Sequence, residues 1–414
     1  TFLAADAAIN DTTLTSSAAT GWKDNDAIAV ATTTRTVAQS ENGALNGDAV
    51  GTTLTVDGFG GAGGGLAYAH SGTVPTRAEI INLTRNVKIH GASTAFQAYV
   101  YIGATAAADV DYAEFYWMGS ATASKRGLDI LTTTGTVSIT GASFHDFSVA
   151  SSVAGYINSI TYNTVTLTSN VYYNINYAFL LTESTSGAGW SVSNMVGIKT
   201  ASGVVGCVQL GDIGGTFTNN TVAGCWYWGI QIYALAPDVI GTMSGNTAHS
   251  CGNAGFYLGS STVGTITNSI TWRNNAGYGL LAAGECLGLV LDGITAFGNA
   301  NGNLCLGSTG NDQHDVTLKN VIAYGEAVYP TGYGLFWPAN TKILAKLYNA
   351  SFSVHTVGDL VTTFGAGTTL AQIDGNLVTL ASGTPISGFT AAFCHWSSYI
   401  AIQRYGGTAQ DHRT

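Results

Sequence analysis

Thr216-Phe217-Thr218-Asn219-Asn220, Thr242-Met243-Ser244-Gly245-Asn246 and Thr265-Ile266-Thr267-Asn268 are three versions of one phrase. Each sets an apolar residue between two hydroxyl residues and then turns at Asn or Gly. That is a short strand with one face buried, closed by a residue that tolerates left-handed backbone. The phrase recurs outward in both directions, at Val165–Asn170, Trp190–Asn194, Leu289–Gly293 and Val316–Asn320. Its apolar centres are Leu167, Val192, Phe217, Met243, Ile266, Leu291 and Leu318, in steps of 25, 25, 26, 23, 25 and 27 residues. Weaker matches extend the series to Ile89, Ala113 and Ile139 upstream and Leu347 downstream.

A second strand keeps the same step, in Ala178-Phe-Leu-Leu, Gly206-Cys-Val-Gln-Leu, Gly229-Ile-Gln-Ile, Gly255-Phe-Tyr-Leu, Gly279-Leu-Leu, Asn303-Leu-Cys-Leu and Gly334-Leu-Phe-Trp. Two or three short strands in each 25 residues leave room only for turns. The consistent architecture is all-β, a right-handed parallel β-helix, or solenoid, in which each strand pairs with its equivalent in the next coil. Ten to eleven coils are expected over residues 86–345, about 50 Å of rod at roughly 4.8 Å per coil. Residues 1–85 lack the step and form a β-rich segment capping the helix. Residues 346–414 are expected to cap the other end or to join a further domain, because an open coil exposes unpaired strand edges.

Composition agrees. The 414 residues include 54 glycines and 5 prolines, and only 9% are charged. Gly and β-branched residues are poor helix formers. A net charge of −10 without a basic tract argues against nucleic-acid binding. The apolar runs are too short to span a membrane. The chain begins at Thr1 with no visible signal peptide, as expected of a mature product or a segment of a longer polypeptide.

Stacking makes columns. Asn170, Asn194, Asn219 or Asn220, Asn246, Asn268, Gly293 and Asn320 suit left-handed turns and amide ladders along the axis. His145, Tyr173, Ile198, Ala223, His249, Trp272, Phe297 and Tyr324 form a column six residues past each centre. It reads as an interior stack by alternation, or else as an outer aromatic strip for sugars. Cys225 and Cys251 occupy equivalent places on adjacent coils, as a disulfide or as two buried thiols. Trp226, Trp228 and Tyr233 are candidates for stacking on glycan, with subunit contact or plain packing as alternatives.

Hydrolysis of a glycosidic bond needs two carboxyl groups, and elimination at a uronic acid needs a base with a charge-neutralising partner. Glu114, Arg126, Asp129, His145 and Asp146, with Asp109 and Asp111, are the densest set of such groups, and the coil register puts them on neighbouring coils. No spacing typical of a metal site occurs, so no cofactor is expected. Calcium held by loop carbonyls and Asp would leave little trace in sequence.

The run Leu83-Thr84-Arg85-Asn86-Val87-Lys88-Ile89-His90-Gly91 follows a glycine-rich stretch at Gly58–Gly65. With Tyr112-Ala-Glu-Phe and Met118-Gly119 it resembles the G8 domain and first coils of fibrocystin-like proteins and cell-surface hyaluronidases. The resemblance covers roughly residues 15–200. It implies an extracellular unit that meets polysaccharide. In the hyaluronidase branch a Tyr-Pro-Ile-His-Phe-His motif comes next. Here Lys125–Leu131 stands in its place, with Arg126 kept, Asp129 at the first histidine and Leu131 at the second.

The resulting expectation is a non-catalytic structural or adhesive β-helix that contacts glycan: a surface protein, a filament subunit or a phage tail component. A polysaccharide depolymerase, hydrolase or lyase, with a groove on the first coils is the alternative. Expected partners are polysaccharide or further copies of the chain, outside the cell, at its surface or on a virion.

Overall fold

The computed structural model describes the chain except residues 104, 121, 123–124, 132–134, 159–164, 184–188, 201–205, 212–213, 233–240, 260–263, 285, 308–312, 338–341, 349, 363–368, 374–375, 381–399 and 404–414. Each coil carries three strands, and each strand pairs in parallel with its equivalents above and below. One coil shows the plan. Val165–Thr168 belongs to a first sheet, Val171–Ile175 to a middle sheet and Ala178–Glu183 to a last sheet. The middle and last sheets have eleven strands each. The first has thirteen, three of which (Thr369–Ile373, Asn376–Leu380 and Ile400–Gln403) are antiparallel additions at the far end. The chain is a parallel β-helix.

The repeat read from the sequence is the pairing register. Leu167 pairs with Val192, Val192 with Phe217, Phe217 with Met243, and so on through Ile266, Leu291 and Leu318 to Leu347. All are buried in one continuous core. Upstream, Ile139 pairs with Val110, not Ala113. Ala113 and Ile89 belong to middle-sheet strands instead. In those early coils the hydroxyl-apolar-hydroxyl phrase is too degenerate to mark the strand.

The Asn column separates into two adjacent columns with different work. Left-handed backbone falls on Ser169, Asn194, Asn219, Gly245, Asn268, Gly293 and Asn320. The amide ladder lies one residue later and inside the tube. Asn170 Oδ1 accepts from the Ala142 amide at 2.8 Å, Asn220 Oδ1 from Met195 at 2.9 Å, and Asn246 Oδ1 from Asn220 at 3.0 Å. Each Nδ2 donates down to a carbonyl, of Ile139, Val192 and Phe217 respectively. The ladder satisfies buried backbone groups where the chain bends and cannot pair as sheet.

Residues 1–85 build a five-stranded antiparallel sheet in the order Thr13–Thr15, Thr53–Asp57, Glu41–Leu45, Ala27–Val30, Ile80–Asn82. Ile28, Val30, Leu45, Leu54, Val56 and Ile80 fill a core of its own. The other face packs Ala29, Ala31, Ile81 and Leu83 against Tyr173, Ile198 and Ala223 of the middle sheet. Two alanines let the backbones approach closely. The segment therefore lies along the flank of the tube, not over its end as expected. Polar contacts carry it further along the axis. Arg273 Nη1 donates to Thr33 O at 2.7 Å, and Arg35 Nη2 to Gly298 O at 2.6 Å and Pro330 O at 2.8 Å. His249 Nε2 lies 3.0 Å from Glu79 Oε2 with both groups buried.

This docking overturns the interior reading of the +6 column. Alternation does put positions +4 and +6 on one side, but that side is the outside. The residue between them points into the tube, where Phe115, Phe144 and Tyr172 stack at 4.7 and 5.0 Å. Tyr173, Ile198 and Ala223 are buried because another sheet covers them, His249 is buried against Glu79 of the same segment, and Trp272 is buried in stacks with His249 and Phe297.

The disulfide joins Cys207 to Cys225 with Cα atoms 5.9 Å apart, and Cys251 is a free buried thiol. Of the two alternatives for Cys225 and Cys251, their mutual bridge is not formed, and the buried thiol holds for Cys251 alone. Stacked residues have nearly parallel Cα–Cβ bonds, so their sulfurs run side by side without the crossing a disulfide needs. Cys207 approaches Cys225 from another sheet.

Candidate functional site

The acidic and basic candidates separate onto two faces of the tube. On the middle sheet, Lys88, Glu114 and Ser143 form one outward column, and His90, Tyr116 and His145 form the next. His145 is held between two carboxylates, with Nε2 3.3 Å from Glu114 Oε1 and Nδ1 2.9 Å from Asp146 Oδ2. Glu114 also accepts from the Arg85 amide at 2.8 Å and lies 3.3 Å from Lys88 Nζ. Asp146 accepts from Asn174 Nδ2 at 2.7 Å. Above and below, His90, Tyr116 and His145 stack ring on ring at 4.4 and 5.4 Å.

The charges of this set follow from its contacts. Burial alone would raise the Glu114 carboxyl, but the His145 hydrogen bond, the Arg85 amide and the positive charges of His145 and Lys88 hold it below its ordinary value. Asp146 is lowered in the same way: burial opposes, while His145, Asn174 and Lys199 prevail. Burial would lower His145, yet the hydrogen bonds and charges of Asp146 and Glu114 raise it. The set is a self-neutralising network with every member engaged.

Asp129 and Arg126 sit elsewhere, on the last sheet. Asp129 pairs with Tyr101 below and Tyr156 above and is fully buried. Its Oδ2 accepts from the Arg126 amide at 3.3 Å, and its Oδ1 has no partner. Burial raises its pKa, only partly offset by the Arg126 amide and charge. The Arg126 guanidinium lies 4.4 Å over the Tyr156 ring, and Tyr156 donates to Glu183 at 2.5 Å. The five expected catalytic residues thus make a trio and a pair, not one cluster. Among the described residues no group of three or more His, Cys, Asp or Glu is arranged to hold a metal ion.

Among the aromatic candidates, Trp226 is 54% exposed and Trp228 half-exposed, while Tyr233 lies outside the described residues. Trp228 stacks on Tyr257 at 3.9 Å. Register extends the group along the last sheet. Tyr278, Gly302 and Tyr333 form one column, and Tyr257, Leu281, Cys305 and Phe336 form its neighbour. Tyr278 and Tyr333 both stack on Phe336, at 6.1 and 4.6 Å. Gly302 is the gap that admits these rings, because a Cβ there would lie 3.1 Å from both Tyr278 and Tyr333. The half-exposed strip Trp228, Tyr257, Tyr278, Tyr333, Phe336 spans five coils, roughly 19 Å at the usual strand spacing.

Sequence reasoning found the Trp228 end of this strip and missed the rest. The signal was present as an aromatic-glycine pair at the start of last-sheet strands: Trp228-Gly229, Tyr278-Gly279 and Tyr333-Gly334. Strict alternation from the core residues Ile230, Leu280 and Leu335 would turn these aromatics inward, so their half-exposed placement at the strand start was not readable from period 2 alone.

No protein-family model and no characterised protein sequence matches the chain. Among solved structures it is similar to the periplasmic alginate epimerase AlgG, with 13% identity over 64% of this chain and 59% of the epimerase, at a TM-score of 0.38. It is also similar to the tailspike gp61 of Pseudomonas phage phi297, with 10% identity over 89% of this chain and 62% of the tailspike, at a TM-score of 0.24. A third is the Gp54 tailspike of Acinetobacter baumannii bacteriophage AP22 in complex with A. baumannii capsular saccharide, with 9% identity over 90% of this chain and 68% of the tailspike, at a TM-score of 0.26. The chain spans about three fifths of the length of the epimerase it matches.

Proposed function

We propose that this chain is a non-catalytic, glycan-contacting β-helix of an extracellular or virion assembly, whether surface protein, filament subunit or phage tail component. The aromatic strip on the last sheet carries the reading. Five half-exposed rings on four of five successive coils follow the tube axis, and the coil spacing is close to the length of one pyranose in an extended chain. Aromatic faces hold the apolar faces of sugars with a large buried area. The strands bearing the strip, from Trp228–Ile232 to Tyr333–Trp337, contain no charged residue, which suits uncharged stretches of polysaccharide. The Cys207–Cys225 disulfide fits an oxidising compartment. The antiparallel sheet of residues 1–85 is in keeping with a G8-like module.

Against catalysis, Glu114 and Asp146 are both held ionised by neighbours and neither is a ready proton donor. A glycan array is the test. Specific retention of the chain, abolished by Tyr257→Ala with Tyr278→Ala, is the expected result. Retention that survives both changes sinks the reading.

A depolymerase is the second reading because His145, raised by the two carboxylates that flank it against the effect of burial, has the chemistry of a general acid or base. Incubation with hyaluronan and other acidic glycans decides it. Chain shortening that is lost on His145→Gln or Asp129→Asn would establish cleavage.

A further inference from the structure

The docked amino-terminal sheet leaves an open cleft of about 450 Å³ against the tube, in the range of small-ligand sites. Its lining includes Trp22, Asn82, Arg85, Tyr112, Ser169 and Asn194. Two features there are unexplained by folding alone.

The first is Arg85. Its guanidinium is half-buried and held by neutral carbonyls only: Nε donates to Gly141 O at 2.7 Å, and Nη1 to Asn82 O at 3.0 Å and Thr84 O at 2.7 Å. It forms no ion pair and Nη2 makes no hydrogen bond among the described residues. Burial lowers its pKa while the charges of Glu114 and Asp26 support it through space, but neither carboxylate pairs with the guanidinium, so the unbonded Nη2 is open to an incoming anion. The second is Tyr112. It occupies the left-handed column at φ 52°, where the coils above carry Gly141, Ser169, Asn194 and Asn219. A bulky side chain is strained there. The ring is 64% exposed and lies over Gly141, where a Cβ would come within 2.6 Å of it. Strain kept for an exposed ring points to a use for that ring.

We propose that this cleft binds a carboxylate-bearing saccharide unit. The guanidinium of Arg85, fixed by three carbonyls through Nε and Nη1, offers its unbonded Nη2 to the carboxylate. Tyr112 and Trp22 supply faces for the sugar ring, and the Asn194 amide and Ser169 hydroxyl supply hydrogen bonds to its hydroxyls. The site is separate from the aromatic strip of the last sheet and stands whether or not that strip binds glycan.

The test is calorimetric titration of the whole chain with a galacturonate tetrasaccharide, its methyl ester and acetate. The acid form should bind, with affinity falling as salt rises, and the uncharged ester should bind at least tenfold more weakly. Tyr112→Gly should weaken binding at least tenfold while leaving the melting temperature equal or higher, because it removes the ring and the strain together. Trp228→Ala should leave this binding unchanged. Equal binding of acid and ester, full affinity in Tyr112→Gly, or no binding of the acid saccharide would each overturn the proposal. Acetate binding as well as the tetrasaccharide would refute the saccharide part.

Discussion

In the lower coils His90 and Tyr116 stack at the surface beside a network of charged groups. In the higher coils His249, Trp272 and Phe297 stack in the same outward column of the same sheet, at 3.8 and 6.2 Å, beneath the docked amino-terminal segment. The repeat gives both sets the same backbone position, and the cover gives them different roles. Under the cover a histidine meets one buried carboxylate, Glu79, and becomes a structural fastener. Outside it His145, 8% exposed against 0% for His249, meets the two carboxylates Glu114 and Asp146. In a solenoid, function is decided less by the column than by what lies against it.

Four measurements break or sharpen this contrast. Trp272→Ala should cost most, about 3–5 kcal/mol in denaturant unfolding, because it removes a fully buried ring stacked between His249 and Phe297. Glu79→Gln should cost about 2–3 kcal/mol by weakening a buried charged hydrogen bond. Its signature is faster hydrogen exchange in residues 27–31 and 79–83 with the tube strands still protected. Tyr116→Ala, in the uncovered part of the column, should cost only about 1 kcal/mol. A loss equal to that of Trp272→Ala would mean that cover is not what separates the two regions.

The smallest effect is in pH dependence. His145 is raised above 6.5, so its network stabilises fully below that value and loses the contribution as pH rises through the folded pKa. Glu114 and Asp146 are lowered from 4.5 and 3.8, so theirs is present above those values and lost as pH falls through the folded pKa. The melting-temperature gap between the parent and His145→Gln should therefore be widest between about pH 5 and 6.5 and narrow on both sides. A gap independent of pH would show that the network does not act through charge.

The tube was legible because one local rule repeats. Leu167, Val192 and Phe217 each lie between hydroxyl residues ahead of a turn, and in-register stacking is the way such strands bury their apolar residues together. The site was legible only in pieces. Glu114, His145 and Asp146 were found as a set because they lie on neighbouring coils of one sheet. Asp129 was grouped with them because sequence distance does not tell which sheet of the coil a strand joins. The strip through Tyr257, Tyr278, Tyr333 and Phe336 was hidden because its strands follow one another at 21 and 55 residues in sequence and meet only through register.

The sequence by itself determined the coil period, the apolar core and the stacking of like residues, since each follows from short-range alternation and turn chemistry repeated many times. Only the tertiary structure decided which side of the middle sheet His145, His249 and Trp272 face, that residues 1–85 lie along the tube, and that Cys207 rather than Cys251 reaches Cys225. Those outcomes depend on how whole sheets pack together, and alternation fixes which residues share a side without saying which side is in.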